Sequence, residues 1–331
     1  MSGVLRAFVL AILVACFGPL DLVRTAAARE PGSPPRIGVL LGALSPDSKE
    51  AQAFRQGLRE AGYFEGRDVV IEWRTARGDY ARLPELAADL VQHKVNVIVV
   101  QSTSAAHAVK RATSTIPIVM ATVADPVGSG LVSNLANPGG NITGLSTMVV
   151  DLGAKRLQLL KETLPRVTRV AVLGNPTTSY YPKAIEELRA AARSLRIELT
   201  LVRAQAPQDF TAAIAAATRA HTQALYVIDD AFFVSRRGLL VKLATKARLP
   251  AIYGFRLYVD EGGLISYGPN YADLLRQSAG YVDKILRGAK PGELPIEQPN
   301  KVELVVNLQT AKTLGLAIPE SILVRADEII R

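Results

Sequence analysis

The chain has 331 residues, of which 49% are hydrophobic, 21% charged and only 6% aromatic. That is enough for about two domains of ordinary size, and an apolar content carried by Ala, Leu and Val favours α/β layers over an all-β sandwich. The formal net charge is +9, yet the basic residues are scattered (Arg55, Arg59, Arg67, Arg74, Arg77, Arg82, Lys155, Arg156, Arg193, Arg196). With no Lys/Arg block and no nucleic-acid motif, nucleic acid is not an expected partner, and a solvated basic surface is.

The first 28 residues read as a signal peptide. Arg6 supplies the positive end, Ala7 to Leu20 is uncharged and apolar, and Ala26-Ala27-Ala28 suits signal peptidase. The apolar run is short for a bilayer span, which needs ~20 residues. Cleavage there leaves a soluble, exported chain starting at Arg29, expected in the periplasm. Residues 1–28 hold Arg6, Arg24 and Asp21, so the mature charge is +8. Leu13-Val14-Ala15-Cys16 also matches a lipobox, which gives a lipid anchor on Cys16 as the alternative. Cys16 is the only cysteine, so no disulfide or thiolate metal site is expected.

Residues 29–35 are a Pro/Gly-rich linker. Alternation then begins: strand at Arg36–Leu41, helix at Ser48–Ala61, strand at Val69–Trp73, helix at Leu83–His93, strand at Val95–Gln101, helix at Ala105–Thr113, strand at Ile118–Val123. A second block repeats the rhythm. Its helices are Lys155–Leu164, Pro182–Leu195, Phe210–Ala220 and Gly238–Ala247, and its strands Val170–Leu173, Ile197–Val202, Ala224–Ile228 and Ala251–Tyr253. Such alternation implies βαβ units and parallel sheets. Turn formers at Asn137–Gly144 and Glu261–Gly268 suggest two crossovers between the blocks, with glycines tolerant of hinge motion. The tail adds a helix at Ala272–Leu286, a strand at Val302–Val306 and a helix at Thr310–Leu314. The expected architecture is two Rossmann-like lobes with parallel sheets and a multi-strand hinge. Lobe one takes 36–145 plus roughly 268–296, and lobe two takes 146–267 plus roughly 297–331.

Several phrases then accumulate in order: Ile116-Pro117-Ile118-Val119, Asp125-Pro126-Val127-Gly128, Asn137-Pro138-Gly139-Gly140-Asn141-Ile142-Thr143-Gly144, Gly262-Gly263-Leu264-Ile265-Ser266-Tyr267-Gly268-Pro269, Tyr281 to Pro291, and Glu303-Leu304-Val305-Val306-Asn307. Together, over residues 36 to 330, they resemble the ABC-transporter substrate-binding proteins whose better-known members bind tryptophan and related aromatic amino acids. The resemblance implies a type I periplasmic-binding-protein fold. It also implies a chain that captures a small-molecule solute and delivers it to an inner-membrane ABC permease driven by a cytoplasmic ATPase, both separate chains. It does not fix the solute; an aromatic or branched amino acid is the best expectation, and the chain is expected to be a monomer.

Ligands of open parallel sheets sit beyond the carboxyl ends of the strands. In lobe one this selects Ser45, then Ser102-Thr103-Ser104 with Ser104 as a helix N-cap, then Thr122 and Asp125. Hydroxyls and free N–H groups at a helix start suit a carboxylate, though Ser and Thr are ordinary caps and an Asp-Pro pair an ordinary turn. In lobe two it selects Asn175, Thr177, Asp229 (from the pair Asp229-Asp230), Tyr253 and Tyr267. A carboxylate there would meet an ammonium group, or would simply cap the following helix. No Phe, Tyr or Trp occurs between Tyr80 and Tyr180. Stacking is therefore expected from Tyr180, Tyr181, Phe232, Phe233, Tyr253, Phe255 or Tyr267, two or three of which should reach the cleft.

An enzyme is the weaker reading. His93, His107 and His221 lack metal-ligand spacing. There is no Gly-x-Ser-x-Gly elbow, no dinucleotide fingerprint and no phosphate loop, so no cofactor or metal is expected. A periplasmic hydrolase or racemase, and a ligand-sensing module for a membrane receptor, stand as alternatives.

Overall fold

Ile37–Leu41, Val97–Gln101 and Ile118–Val123 are buried at every position, the pattern of parallel strands covered on both faces. In the computed structural model, which describes residues 33–331, they form the centre of the first of two sheets. The signal peptide expected over 1–28, its Cys16 and the linker to residue 32 lie outside the described residues. The first sheet holds β1 (Arg36–Leu41), β2 (Val70–Thr75), β3 (Val97–Gln101), β4 (Ile118–Val123) and β5 (Ile142–Ser146), all parallel, in the order β2-β1-β3-β4-β5. Between them run α1 (Lys49–Glu60), α2 (Leu83–Gln92) and α3 (Thr103–Ala112).

The second sheet repeats this winding with β6 (Arg169–Gly174), β7 (Glu198–Arg203), β8 (Ala224–Val227), β9 (Ala251–Tyr253) and β10 (Ile265–Gly268), ordered β7-β6-β8-β9-β10 and extended by β11 (Glu303–Asn307) and β12 (Glu328–Ile330). Its helices are α4 (Gly153–Thr163), α5 (Tyr181–Leu195), α6 (Asp209–Arg219), α7 (Ala231–Ser235), α8 (Arg237–Lys246) and α9 (Arg256–Asp260). Next, α10 (Tyr271–Leu286) leaves the second sheet and packs on α1 and the first; α11 (Leu308–Leu314) and α12 (Glu320–Leu323) close the chain.

Strand parity sets the two faces of the first sheet. Ile37, Val39 and Leu41 join Phe54 and Leu58 of α1 and Leu275 of α10 in one apolar cluster. Leu40, Ile98 and Val100 join Leu83, Leu90 and Val109 of α2 and α3 in another. The order 2-1-3-4-5 reverses direction between β1 and β3, and again between β6 and β8. Crevices open at such switch points, beyond the strand tips.

The structure moves two expected features. The presumed crossovers at Asn137–Gly144 and Glu261–Gly268 each contain a strand, β5 and β10, and the chain crosses just after them, at 147–152 and 269–270. Reading the glycines as turns concealed Ile142-Thr143 and Leu264-Ile265, apolar and β-branched residues buried in the strands or at their edge. A third crossing follows Glu297, which bridges to Leu145. The second sheet is also not wholly parallel: β10 and β11 are antiparallel, because β11 enters from the first lobe's side.

Candidate ligand-binding site between the strand tips

On the first lobe, β3 runs into Ser102, whose Oγ accepts from Ala105 N at 3.1 Å and caps α3. Ser102, and not Ser104, is the N-cap; the helix starts two residues earlier than its apolar periodicity suggests. Ser102 has φ 130°, a conformation costly for a non-glycine residue, and such strain clusters at functional sites. Thr103 Oγ1 accepts from Ala124 N at 3.1 Å, tying the tips of β3 and β4 together. Gln101 Oε1 accepts from Ala43 N at 2.9 Å, which orients its amide so that Nε2 donates to the Tyr271 hydroxyl. Thr122 Oγ1 donates to the same oxygen at 3.0 Å. Burial raises Tyr271 to about 12, so it is a neutral phenol in the floor of the gap.

On the second lobe, β8 delivers two buried carboxylates. Asp230 Oδ1 accepts from Phe232 N at 3.0 Å, capping α7, and from Asn175 Nδ2 at 3.3 Å. Asp229 Oδ1 accepts from Gly254 N at 3.2 Å, and its Oδ2 lies 3.4 Å from Arg156 Nη1. The approach requires glycine: a Cβ on Gly254 would stand 1.7 Å from Asp229 Oδ2. Burial raises Asp229 to about 6, with the Arg156 charge pulling the other way. Burial raises Asp230 as well, opposed by its bonds from Tyr80 and Asn175. Tyr180 donates from its hydroxyl to Asp229 O at 2.7 Å.

The lobes face each other tip to tip and are closed. Tyr80 donates from its hydroxyl to Asp230 Oδ2 at 2.5 Å and accepts from Phe232 N at 3.2 Å. The edge of Phe255 meets Tyr271 with ring centres 4.7 Å apart, and Lys183 Nζ reaches Asp125 Oδ2 at 3.1 Å. Between the tips remains a gap of about 30 Å³, bordered by Ser102, Thr103 and Thr122 on one side and Tyr180, Asp229 and Asp230 on the other. Beside it opens a cavity of about 810 Å³ whose walls include Tyr80, Ser104, His107, Asn175, Thr177 and Phe232. Burial lowers His107, leaving it neutral at pH 7. Among the described residues no group of three or more His, Cys, Asp or Glu side chains is placed to hold a metal ion.

The profile of the ABC transporter substrate binding protein family matches residues 41–330. The chain belongs to this family. Its relatives are solute-binding proteins and not enzymes. This substrate-binding protein is 28% identical to the tyrosine-binding protein of Clostridioides difficile over 81% of its own length and 77% of the relative's. A crystal structure of a conserved domain protein from Vibrio cholerae matches 90% of the chain and 100% of that chain at 32% identity, with a TM-score of 0.84. The complex of a Streptococcus pneumoniae ABC domain with L-Trp gives 0.82 at 25% identity, over the same 90% and 100%. The ligand-free, open structure of a Clostridium difficile substrate-binding protein gives only 0.64 at 26% identity, over 89% and 99%. At nearly the same identity, the lobe arrangement of this substrate-binding protein therefore follows the complex more closely than the open form.

Of the residues selected from sequence, the fold brings Ser102, Thr103, Thr122 and Asp229 to the gap and Ser104, Asn175 and Thr177 to the larger cavity. Four stand elsewhere. Ser45 is exposed and its Oγ serves a local turn, accepting from Asp47 N. Asp125 caps its own turn at Gly128 and meets Lys183 at the rim. Tyr253 is core, stacked on Tyr258 at 4.6 Å. Tyr267 borders neither cavity; its carbonyl accepts from Arg156 Nε at 2.7 Å. Of the seven candidate rings, Tyr180, Phe232 and Phe255 border the two cavities. The first lobe is not ringless, because Tyr80 and Tyr271 reach in from outside the ring-free run between Tyr80 and Tyr180. Arg156 was missed although it carried a signal: it sits on the buried face of α4 with Leu157, Leu160 and Thr163, where a cation demands a partner.

Proposed function

We propose that the chain is the exported solute-binding component of an ABC importer, and that it holds an amino acid with an aromatic or branched side chain between the strand tips. The carrying observation is the pairing of two buried carboxylates, Asp229 and Asp230, with the hydroxyl-lined start of α3 across a closed gap. In this reading the solute's ammonium group meets the carboxylates. Its carboxylate meets Ser102, Thr103 and the first N–H groups of α3, which have no carbonyl of the preceding turn to pair with. The side chain extends into the larger cavity beside Tyr80 and Phe232. The relatives support the class: one is named for tyrosine and another was crystallised with L-Trp. The leader-like sequence of residues 1–28 supports export, with Cys16 as the lipid-anchor alternative. Among the described residues no helix is long and apolar enough to cross a membrane. In this reading a separate permease and ATPase carry the solute across.

A thermal-shift panel of the common amino acids tests the reading. A ligand present at a hundredfold excess over its Kd adds about 2.7 kcal/mol of stability, or a rise of about 5 °C in Tm for a chain of this size. Tyrosine, tryptophan, phenylalanine and the branched amino acids should give the largest shifts. A panel in which no amino acid moves Tm would sink the reading.

A further inference from the structure

Arg156 is wholly buried, and what surrounds it is unusual for an ion pair. Its Nε donates to Tyr267 O at 2.7 Å and its Nη1 to Val149 O at 3.1 Å. Val149 lies in the crossing at 147–152 and Tyr267 just before the one at 269–270, so the guanidinium is oriented by backbone carbonyls without help from a carboxylate. Asp229 Oδ2 lies 3.4 Å from Nη1, and neither Oδ2 nor Arg156 Nη2 has a hydrogen-bond partner. The pair is therefore held by charge more than by a shared hydrogen bond, and Oδ2, though buried, keeps unused acceptor capacity in a residue that borders the gap.

The other groups facing Asp229 carry no positive charge. They are Asp230 on the same strand tip and the phenols of Tyr226, Tyr180, Tyr258 and Tyr271, from β8, the loop before α5, α9 and α10. Burial raises all four phenols, so they are neutral. Two adjacent carboxylates and one guanidinium leave a single net negative charge behind the gap.

We propose that Arg156 is a positioning residue that sets this charge: by cancelling one carboxylate of the pair it makes the cleft select a solute presenting one ammonium group, and disfavours solutes that bring two cations to the gap. The proposal rests on the amino-acid reading above and deepens it. Arg156 lies behind Asp229 and borders neither cavity, so it acts on the solute through the carboxylates.

A charge cycle tests it, with L-tyrosine as the calorimetric probe. Asp229→Asn alone leaves Arg156 and Asp230 to cancel, and affinity falls by about tenfold or more. Adding Arg156→Gln restores the single negative charge, and the double variant recovers to within about threefold of the parent. A double variant as weak as Asp229→Asn overturns the proposal, since the net charge that Arg156 sets would then not govern binding of the ammonium group. Should Arg156→Gln compromise folding, Arg156→Lys keeps the charge while giving up the planar fork; near-parental affinity supports the proposal, and a tenfold loss overturns it. A ligand-free readout separates this from the solute assignment. Carboxyl-carbon NMR should place the Asp229 midpoint higher in Arg156→Gln than in the parent, and an unchanged midpoint overturns the charge-setting role. If L-tyrosine fails to bind the parent while that midpoint moves, the solute reading fails and the role of Arg156 stands.

Discussion

Asp229 borders the gap yet is almost completely buried, and its proton affinity follows. Its folded value of about 6 lies above the ordinary carboxylate range because burial outweighs the Arg156 charge. Between about pH 4 and pH 6 the folded chain thus binds more protons at this site than the unfolded chain, so Asp229's contribution to stability declines as pH rises through that window. A bound ammonium group favours the ionised form and pulls the value down. Binding near pH 6 should therefore expel part of a proton, whereas binding at pH 7.5 should expel almost none. Titration calorimetry in two buffers of different ionisation enthalpy reads this directly, and affinity should fall as pH drops from 7 to 5. A pH-independent affinity would remove Asp229 from the solute's surroundings. The sequence disclosed the carboxylate pair because it ended an apolar strand. It did not disclose that Asp230 is the helix cap and Asp229 the partner of Gly254 N and Arg156, since that division depends on residues that arrive from other elements.

At the scale of elements, the short 3-10 turn Tyr80–Arg82 does what the longer helices do not: it carries a phenol across the cleft. Just before it, Gly78 has φ +82°, and a Cβ there would stand 2.1 Å from Ser235 Oγ on the other lobe. The contact exists only when the lobes are shut. Gly78→Ala should obstruct closure while costing the open form only about 1 kcal/mol of backbone strain; the expected result is weaker binding of the best panel amino acid with Tm lowered by only a few degrees. Unchanged affinity would mean that the lobes bind without meeting here. Elements were legible where periodicity was strong: the doubly wound alternation and the strand tips follow from it. Strands β5 and β10 were hidden by their glycines. Tyr271 was invisible for a different reason. It reaches the first lobe only because α10 folds back on α1 and β4, and no local pattern announces a pairing of residues 149 positions apart, as in its bond with Thr122.

For the whole molecule, the closed state holds, among the described residues, through few direct contacts at the strand tips: Tyr80 with Asp230 and Phe232 N, Phe255 against Tyr271, and Lys183 to Asp125. They are unequal. Lys183 is half exposed, and a solvated ion pair of that kind contributes about 0–1 kcal/mol. The Tyr80 hydroxyl meets a buried carboxylate, and a hydrogen bond to a charged group contributes about 1.5–3 kcal/mol. If the solute binds the closed arrangement, its apparent affinity scales with the fraction of molecules already closed or readily closed, and a loss of about 1.4 kcal/mol in the closing equilibrium raises the apparent Kd about tenfold without touching any solute contact. Tyr80→Phe should therefore weaken binding by about tenfold, and Lys183→Ala by less than about threefold, with the effect of Lys183→Ala fading in 0.5 M salt, on the order of a 4 Å screening length. Small-angle scattering completes the test. The parent should contract on saturation with its solute. Tyr80→Phe should be more expanded than the parent without solute yet reach the same radius of gyration at saturation, because the lost bond shifts the balance between states and not the shape of either. Equal radii for the two free proteins, combined with a tenfold loss of affinity, would place Tyr80 in direct contact with the solute and remove it from the closing equilibrium.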